Sequence, residues 1–326
     1  MQIFHKMITA IDIGKNWVQG SRARKFRGIL SNPVFVGVRK DEDVVERLKE
    51  LRSKLKPDVE DIVVTNFPME DVLFNTVDVP KEIKKRELRA YAVAEMSRIL
   101  NLSSSEMALD CMMNPVGKAL VMVTKARRLN EWVSSITSAG FPLPDVVIPD
   151  VFKYLQLIRV PVRETCVLIF LMPDYSTVIV CVAGSPLGIR TFSHSVEETI
   201  AIVSEETGLS KEEIARELAK PEPNNARNVF ESIVIDLPYA IEREIIFLLS
   251  SALPGSLIRD VAGFYVFCDP MDFAPHYARL FETVETFQGK IQTLRPDIEA
   301  KNLPMGIVGL LLRGGEEFGK NKLVQI

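Results

Sequence analysis

The chain has 326 residues, 47% of them hydrophobic, enough to bury a large core and, by length, to make about two domains. Forty basic residues against 43 acidic ones leave a net charge of −3, so no global field draws the protein to nucleic acid or to an anionic membrane. The longest apolar runs, 166–172 and 178–183, fall far short of the ~20 residues that span a bilayer and read as buried strands.

Residues 1–7 carry one Lys and no following apolar stretch with a small-residue cleavage site, so no signal peptide is expected and the expected location is cytoplasmic. The four cysteines, Cys111, Cys166, Cys181 and Cys268, form no CxxC pair and read as small hydrophobes. Residues 8–24 read as strand, turn, strand, with ITAIDIG as the apolar run and 14–16 as the break. A third strand is predicted at 33–38. In DEDVVERLKELRSKL, Val44, Leu48, Leu51 and Leu55 recur at helical spacing, with the acids 41–43 at the dipole's positive end. Strands are predicted at 61–67 and 72–79, and a helix at 81–100, whose apolar face is Ile83, Leu88, Tyr91, Ala92 and Met96. Its basic cluster, Lys81, Lys84, Lys85, Arg86 and Arg89, reads as a solvated face.

Strands at 107–113 and 119–124 precede helices at 130–139 and 150–158, the first stopped by Gly140 and Pro142. After Pro161 the pattern starts again: CVLIFLM, the turn PDYS and TVIVCVA repeat the opening strand, turn, strand. Helices follow at 196–206 and, behind a capping box from Ser210 to Glu213, at 211–220. The segment 220–228 reads as a loop and 232–253 as one long buried helix ended by Gly255. A strand at 265–268, a helix at 274–286 and an apolar run at 305–312 complete the chain, with 313–326 as a polar tail. Strands alternating with helices indicate α/β layers.

Asp12, Ile13 and Gly14 form a D-x-G turn after the first strand. Glycine lets backbone N–H groups approach phosphate oxygens, and an Asp can hold Mg²⁺ through water. A chain this long holds on the order of one such tripeptide by chance, so Asp12 also reads as a plain turn residue, and Lys15 and Asn16 either face a phosphate or cap the turn. Matching Ser176 and Thr177 of the repeat to the first turn puts Leu171 at the place of Asp12 and Pro173 at that of Gly14, a pair that supports neither a cation nor a donor N–H. Asp174 is a partial substitute. At the carboxyl end Gly314, Gly319 and Lys320 match G-x-x-x-x-G-K, but Asn321 replaces the hydroxyl residue and Glu316 and Glu317 would repel phosphate, so a polar tail is the better reading. His5, His194 and His276 have no partner at metal-ligand spacing, no G-x-S-x-G elbow occurs, and the pairs Glu205–Glu206 and Glu212–Glu213 read as solvated helix faces.

In order and spacing these features resemble the PilM family of type IV pilus assembly proteins, actin-like relatives of the cell-division protein FtsA and of the cytoplasmic part of type II secretion protein L. The resemblance covers almost the whole chain. It rests on ITAIDIG, on DIVVTNFPMEDVLFNTVDVP with KKRELRAYAVAEM, on GKALVMVTKARRLNEWVSSITSAGFPLPDVVIPDVFKYLQL, on GSPLGIRTF and on MGIVGLLLRG. It implies an α/β, actin-like, ribonuclease H-like duplicated fold, with lobes at 1–160 and 161–326. An inserted 1C-type subdomain is implied at about 68–125 and a closing helix at about 303–313. It also implies ATP with Mg²⁺ between the lobes, on Asp12, Gly14, Lys15 and Asn16. A second implication is capture of the cytoplasmic tail of a PilN-like bitopic membrane protein near the lobe–subdomain crossings, at Asn66, Phe67, Thr124 and Lys125.

The chain departs from the family where nucleotide would be held. Leu171 and Pro173 replace a second D-x-G, and Asp269 and Pro270, in YVFCDPMDF, stand where the family places glycines beneath the adenosine. The expectation is therefore a scaffold at the inner membrane, held there by its partner, with no cofactor or with ATP/Mg²⁺ turned over slowly at most. The competing expectation is an ATP-binding, FtsA-like filament former.

Overall fold

Six of the seven residues in the first strand, β1 (Met7–Ile13), are buried, as befits a central strand covered on both faces. The computed structural model describes residues 7–26, 29–39, 43–162, 164–297 and 303–316. Strand β1 pairs antiparallel with β2 (Trp17–Phe26), and β2 with β3 (Ile29–Arg39). The chain crosses through α1 (Val44–Leu55) to β4 (Ile62–Phe67), parallel to β1. Asp43 caps α1 by accepting the Val45 N–H, and Leu48, Leu51 and Leu55 supply its buried face. Asp41, Glu42 and His5 lie outside the described residues.

A separate three-stranded sheet follows, built from β5 (Leu73–Asp78), α2 (Leu88–Leu100), β6 (Met107–Met113) and β7 (Lys118–Lys125), in the order β5-β7-β6. Leu88, Ala92 and Met96 of α2 pack on Leu109, Val121 and Val123. The helix is shorter than the 81–100 that periodicity predicts. After Pro80 the Ile83 N–H donates to the Pro80 carbonyl, and Glu87 accepts the Lys84 N–H, so local turns use the backbone groups a helix needs. Helix α3 (Ala126–Ser138), which starts earlier than 130, returns the chain to β8 (Val146–Pro149), parallel to β4, and to the short α4 (Val151–Leu155). The first sheet thus runs β3-β2-β1-β4-β8.

The second half repeats this plan. Strands β9 (Thr165–Leu171), β10 (Ser176–Val182) and β11 (Ser185–Phe192) form an antiparallel meander. Four helices come next: α5 (Val196–Thr207), α6 (Lys211–Ala219), α7 (Asn225–Val234) and α8 (Leu237–Ala252). Then β12 (Gly263–Cys268) joins parallel to β9, α9 (Ala274–Phe281) crosses over, and β13 (Ile291–Thr293) joins parallel to β12. The order β11-β10-β9-β12-β13 reproduces the first sheet strand for strand and sense for sense. Two sequence expectations fail here. The loop ends at Asn224, whose side chain accepts the Arg227 N–H and starts α7, and the long helix is broken before Pro238, which has no N–H to donate and sits in the first turn of α8.

The last helix, α10 (Met305–Glu316), packs with α4 on the first sheet, against β1 and β4. Gly319 and Lys320 of the phosphate-loop near miss lie beyond the described residues. One apolar core runs from Ile8 and Val64 of the first sheet through Leu155 and Leu310 to Leu168 and Phe170 of the second. Two glycines allow this approach: a Cβ on Gly306 would stand 2.7 Å from Asp12 Oδ2, and one on Gly309 would overlap the Lys153 backbone carbonyl. Gly309→Ala should therefore cost roughly 3 kcal/mol, read as a lower denaturation midpoint at an unchanged slope.

In the second lobe, burial lowers the His194 pKa from its ordinary 6.5 to about 4, against the opposing charge of Glu198. The unfolded chain then takes up a proton that the folded one refuses, so stability falls as pH drops from 6.5 towards 4. His194 should account for a loss on the order of 2 kcal/mol across that window; His276, which burial also lowers to about 4, adds to it, so His194→Gln should lessen the slope measured by chemical denaturation without abolishing it.

Candidate functional site

The two equivalent hairpin turns face each other at the junction of the lobes. In the first, the Gly14 N–H donates to the Trp17 carbonyl at 3.0 Å; in the second, the Met172 N–H donates to the Tyr175 carbonyl at 2.9 Å. The ladders pair Asp12 with Gln19 and Phe170 with Thr177. Phe170 therefore sits at the place of Asp12 and Met172 at that of Gly14, one residue earlier than the sequence match to Leu171 and Pro173. Register is fixed by the ladder and the two-residue turn, not by the hydroxyl residues used for matching. The chemical outcome is the same: a buried ring stands where the first turn has a carboxylate. Gly14 is required by its own turn, because a Cβ there would collide with the Trp17 indole. Lys15 and Asn16 are exposed at the tip.

Asp12 is only 1% exposed and Lys153, on α4, only 2%. Lys153 Nζ donates to Asp12 Oδ1 at 2.7 Å and to Asp150 Oδ1 at 2.5 Å. Gln19 Nε2 donates to the other oxygen of Asp12 at 2.9 Å. Asp150 also accepts from Asn66 Nδ2 at 2.6 Å and from the Tyr175 hydroxyl at 2.6 Å. Asn66 is anchored in turn by the Ile13 N–H and carbonyl, at 2.9 and 3.0 Å. The neighbouring Tyr154 hydroxyl donates to Asp269 Oδ2 at 3.1 Å. One network thus joins β1, β2, β4, α4 and the second turn, and beside it the Tyr154–Asp269 bond reaches the end of β12.

Burial works against the Lys153 ammonium, but the charges of Asp12 and Asp150 outweigh it and raise the amine's pKa, so it stays charged. Burial likewise pushes the Asp12 carboxyl up, opposed by Lys153. The buried Tyr175 hydroxyl is held well above its ordinary value and serves as a donor. Burial raises Asp269 as well, opposed by its bond from Tyr154.

A cleft of about 890 Å³ opens from this network between the turns. Magnesium ATP does not fit the residues that line it. The Lys153 ammonium fills the space between the carboxylates. The Lys15 backbone N–H, the donor this turn would offer a phosphate, is taken by Asp174 Oδ2 at 2.8 Å. The basic side chains of the wall are all paired with wall carboxylates: Lys15 with Glu198 at 2.7 Å, Arg128 with Asp71 at 2.7 Å and Arg190 with Glu244 at 2.9 Å, besides Lys153 itself. With Glu70, Asp150 and Asp174 added, acids outnumber bases on the lining, a field that repels polyphosphate.

A smaller groove of about 270 Å³ lies where the inserted sheet meets the first sheet. Its floor is one face of β6 and β7, where Ala108 pairs with Thr124 and Asp110 with Met122. Its far wall is Phe67 and β8. Both β6 and β8 are edge strands. Of the four residues named for partner binding, Phe67 and Thr124 line this groove. Lys125 is exposed at the end of β7, and Asn66 points the other way into the ion network. The sequence reading missed Gln19, Lys153 and Tyr175. For Lys153 a signal existed, a lone Lys in the apolar stretch VFKYL.

Among the described residues no helix is long and apolar enough to cross a membrane. No family model and no curated protein matches the sequence. Solved structures do. A chain of the PilM-PilN type IV pilus biogenesis complex superposes with a TM-score of 0.69 at 16% identity, over 94% of this chain and 98% of that one. The ethanolamine utilization protein EutJ from Carboxydothermus hydrogenoformans gives 0.51 at 9% identity, over 94% and 89%. With two sheets of identical order joined through α4 and α10, these likenesses give the chain the actin-like, ribonuclease H-like fold of two duplicated lobes, with a three-stranded subdomain inserted in the first.

Proposed function

We propose that this chain is a PilM-like scaffold of a type IV pilus or related secretion machine. In this reading it binds the cytoplasmic tail of a PilN-like inner-membrane protein, which holds it at the membrane, and it turns over little or no ATP. The observation that carries the reading is the groove between β6 and β8. Two edge strands border it, so an extended segment can add along either, with the Cys111 N–H of β6, now held by the Asp110 side chain at 2.8 Å, released to it; the space between Phe67, Ala108 and Met112 has room for an apolar side chain. Thr124 Oγ1 is buried beside the groove and has no hydrogen-bond partner, an orphan that a peptide N–H or carbonyl would satisfy. Arg89 is also on the lining and favours a segment that carries an acid. The fold shared with a chain of the PilM-PilN complex supports the choice of partner. The paired charges of the cleft argue against the competing reading, an ATP-driven filament.

The test is a fluorescence titration of the full chain with a labelled peptide of a PilN-like cytoplasmic tail. Wild type should bind, with the same affinity in the presence and absence of millimolar Mg-ATP. Ala108→Trp, which fills the groove from an edge strand, should weaken binding by about tenfold or more. A wild type that ignores the peptide, or an Ala108→Trp protein that binds as tightly as wild type, would sink the assignment.

A further inference from the structure

We propose that Lys153 is a built-in cation: its ammonium takes the position between Asp12 and Asp150 that a divalent ion would fill, so the first-lobe side of the junction, on which Tyr175 of the second lobe docks, is held together without metal. The geometry is that of an ion site with the ion supplied by the chain. Two carboxylates from different elements, β1 and the start of α4, converge on one nitrogen at 2.7 and 2.5 Å. The outer oxygen of each is held by a neutral donor, Gln19 on Asp12 and Tyr175 on Asp150. Oriented carboxylates with their remaining lone pairs satisfied are what a hard cation requires.

The ammonium also excludes its competitor. Magnesium keeps several waters in an octahedral shell about 2.1 Å in radius. With the Lys153 stem in place there is no room for that shell: the stem lies against α10 so tightly that a Cβ on Gly306 would stand 2.8 Å from Lys153 Cε. The Tyr154 ring covers another side, its centroid 5.0 Å from Nζ. An ammonium on a packed stem needs no such shell.

The same substitution occurs with the opposite sign a few residues away. The Asp174 carboxylate accepts the Lys15 N–H from across the lobe boundary, where a phosphate oxygen would otherwise be received. Cation and anion therefore both come from the chain, the cation from within the first lobe and the anion from the second. Tyr175, next to Asp174, completes the link by donating to Asp150. The interlobe connection is thus independent of ion and nucleotide concentration.

Lys153→Ser removes the ammonium and leaves two buried carboxylates facing a small polar space. Its melting temperature in EDTA should fall by on the order of 10 °C, and millimolar Mn²⁺ should restore most of that loss. Wild type should melt at the same temperature in EDTA and in Mn²⁺. If Mn²⁺ fails to rescue Lys153→Ser, whether that protein is folded or unfolded, the proposal is overturned. A second measurement needs no weakened variant: electron paramagnetic resonance of Mn²⁺ titrated into wild type should show no bound ion that Asp12→Asn releases. Such an ion would overturn the proposal too. These experiments read the cleft, and the peptide titration reads the groove, so either assignment can fail while the other stands.

Discussion

An ammonium buried between two carboxylates is stable only if every other lone pair around it finds a donor, and the junction of this protein is arranged to meet that condition. Breaking such a pair by removing one member typically costs about 3–5 kcal/mol, because the survivor is left charged and dry. Gln19 and Tyr175 answer for the outer carboxylate oxygens, Asn66 for a further lone pair on the Asp150 oxygen that faces Lys153, and each comes from a different element. The network is therefore a constraint on tertiary structure: β1, β4, α4 and the second turn must all be in place at once. The close passage of α10 over Lys153 adds a steric condition to the electrostatic one.

That junction explains how a duplicated fold can keep its two-lobed form after its turns have diverged. Phe170 and Met172 stand where a repeat of Asp12 and Gly14 would be, so the second half contributes an aromatic ring to the shared core and not a second carboxylate to the cleft. What the second lobe contributes instead is Asp174 and Tyr175, both used on groups of the first lobe. The wall of the cleft is saturated by its own ion pairs, and exposed pairs of this kind add little to stability. Their consequence is chemical: among the described residues of the wall they leave no basic group free for an anion.

The groove beside the inserted sheet has the opposite character. It is lined by edge strands and apolar side chains, and it keeps the orphaned hydroxyl of Thr124. A cleft whose basic groups are all answered and a groove bordered by two edge strands point to different uses of the same scaffold. The first holds the molecule together, and the second is available to a partner.

Much of this was legible in the sequence. The apolar run in ITAIDIG and its echo in CVLIFLM indicated the paired sheets, because strand burial is written locally in runs of apolar residues. The spacing of Leu48, Leu51 and Leu55 gave α1 for the same reason. Asp12 and Asn66 could be singled out from their neighbours. Their use could not, since it depends on partners 141 and 84 positions away, Lys153 and Asp150. Local patterns also misplaced boundaries where capping intervened, at Lys84, Asn224 and Pro238, and misaligned the second turn by one residue, because register belongs to the ladder. Apolar pattern fixes which elements form and which faces they bury. Only their packing decided that an unremarked lysine in VFKYL is the buried cation that joins Asp12 to Asp150, the carboxylate on which Tyr175 of the second lobe docks.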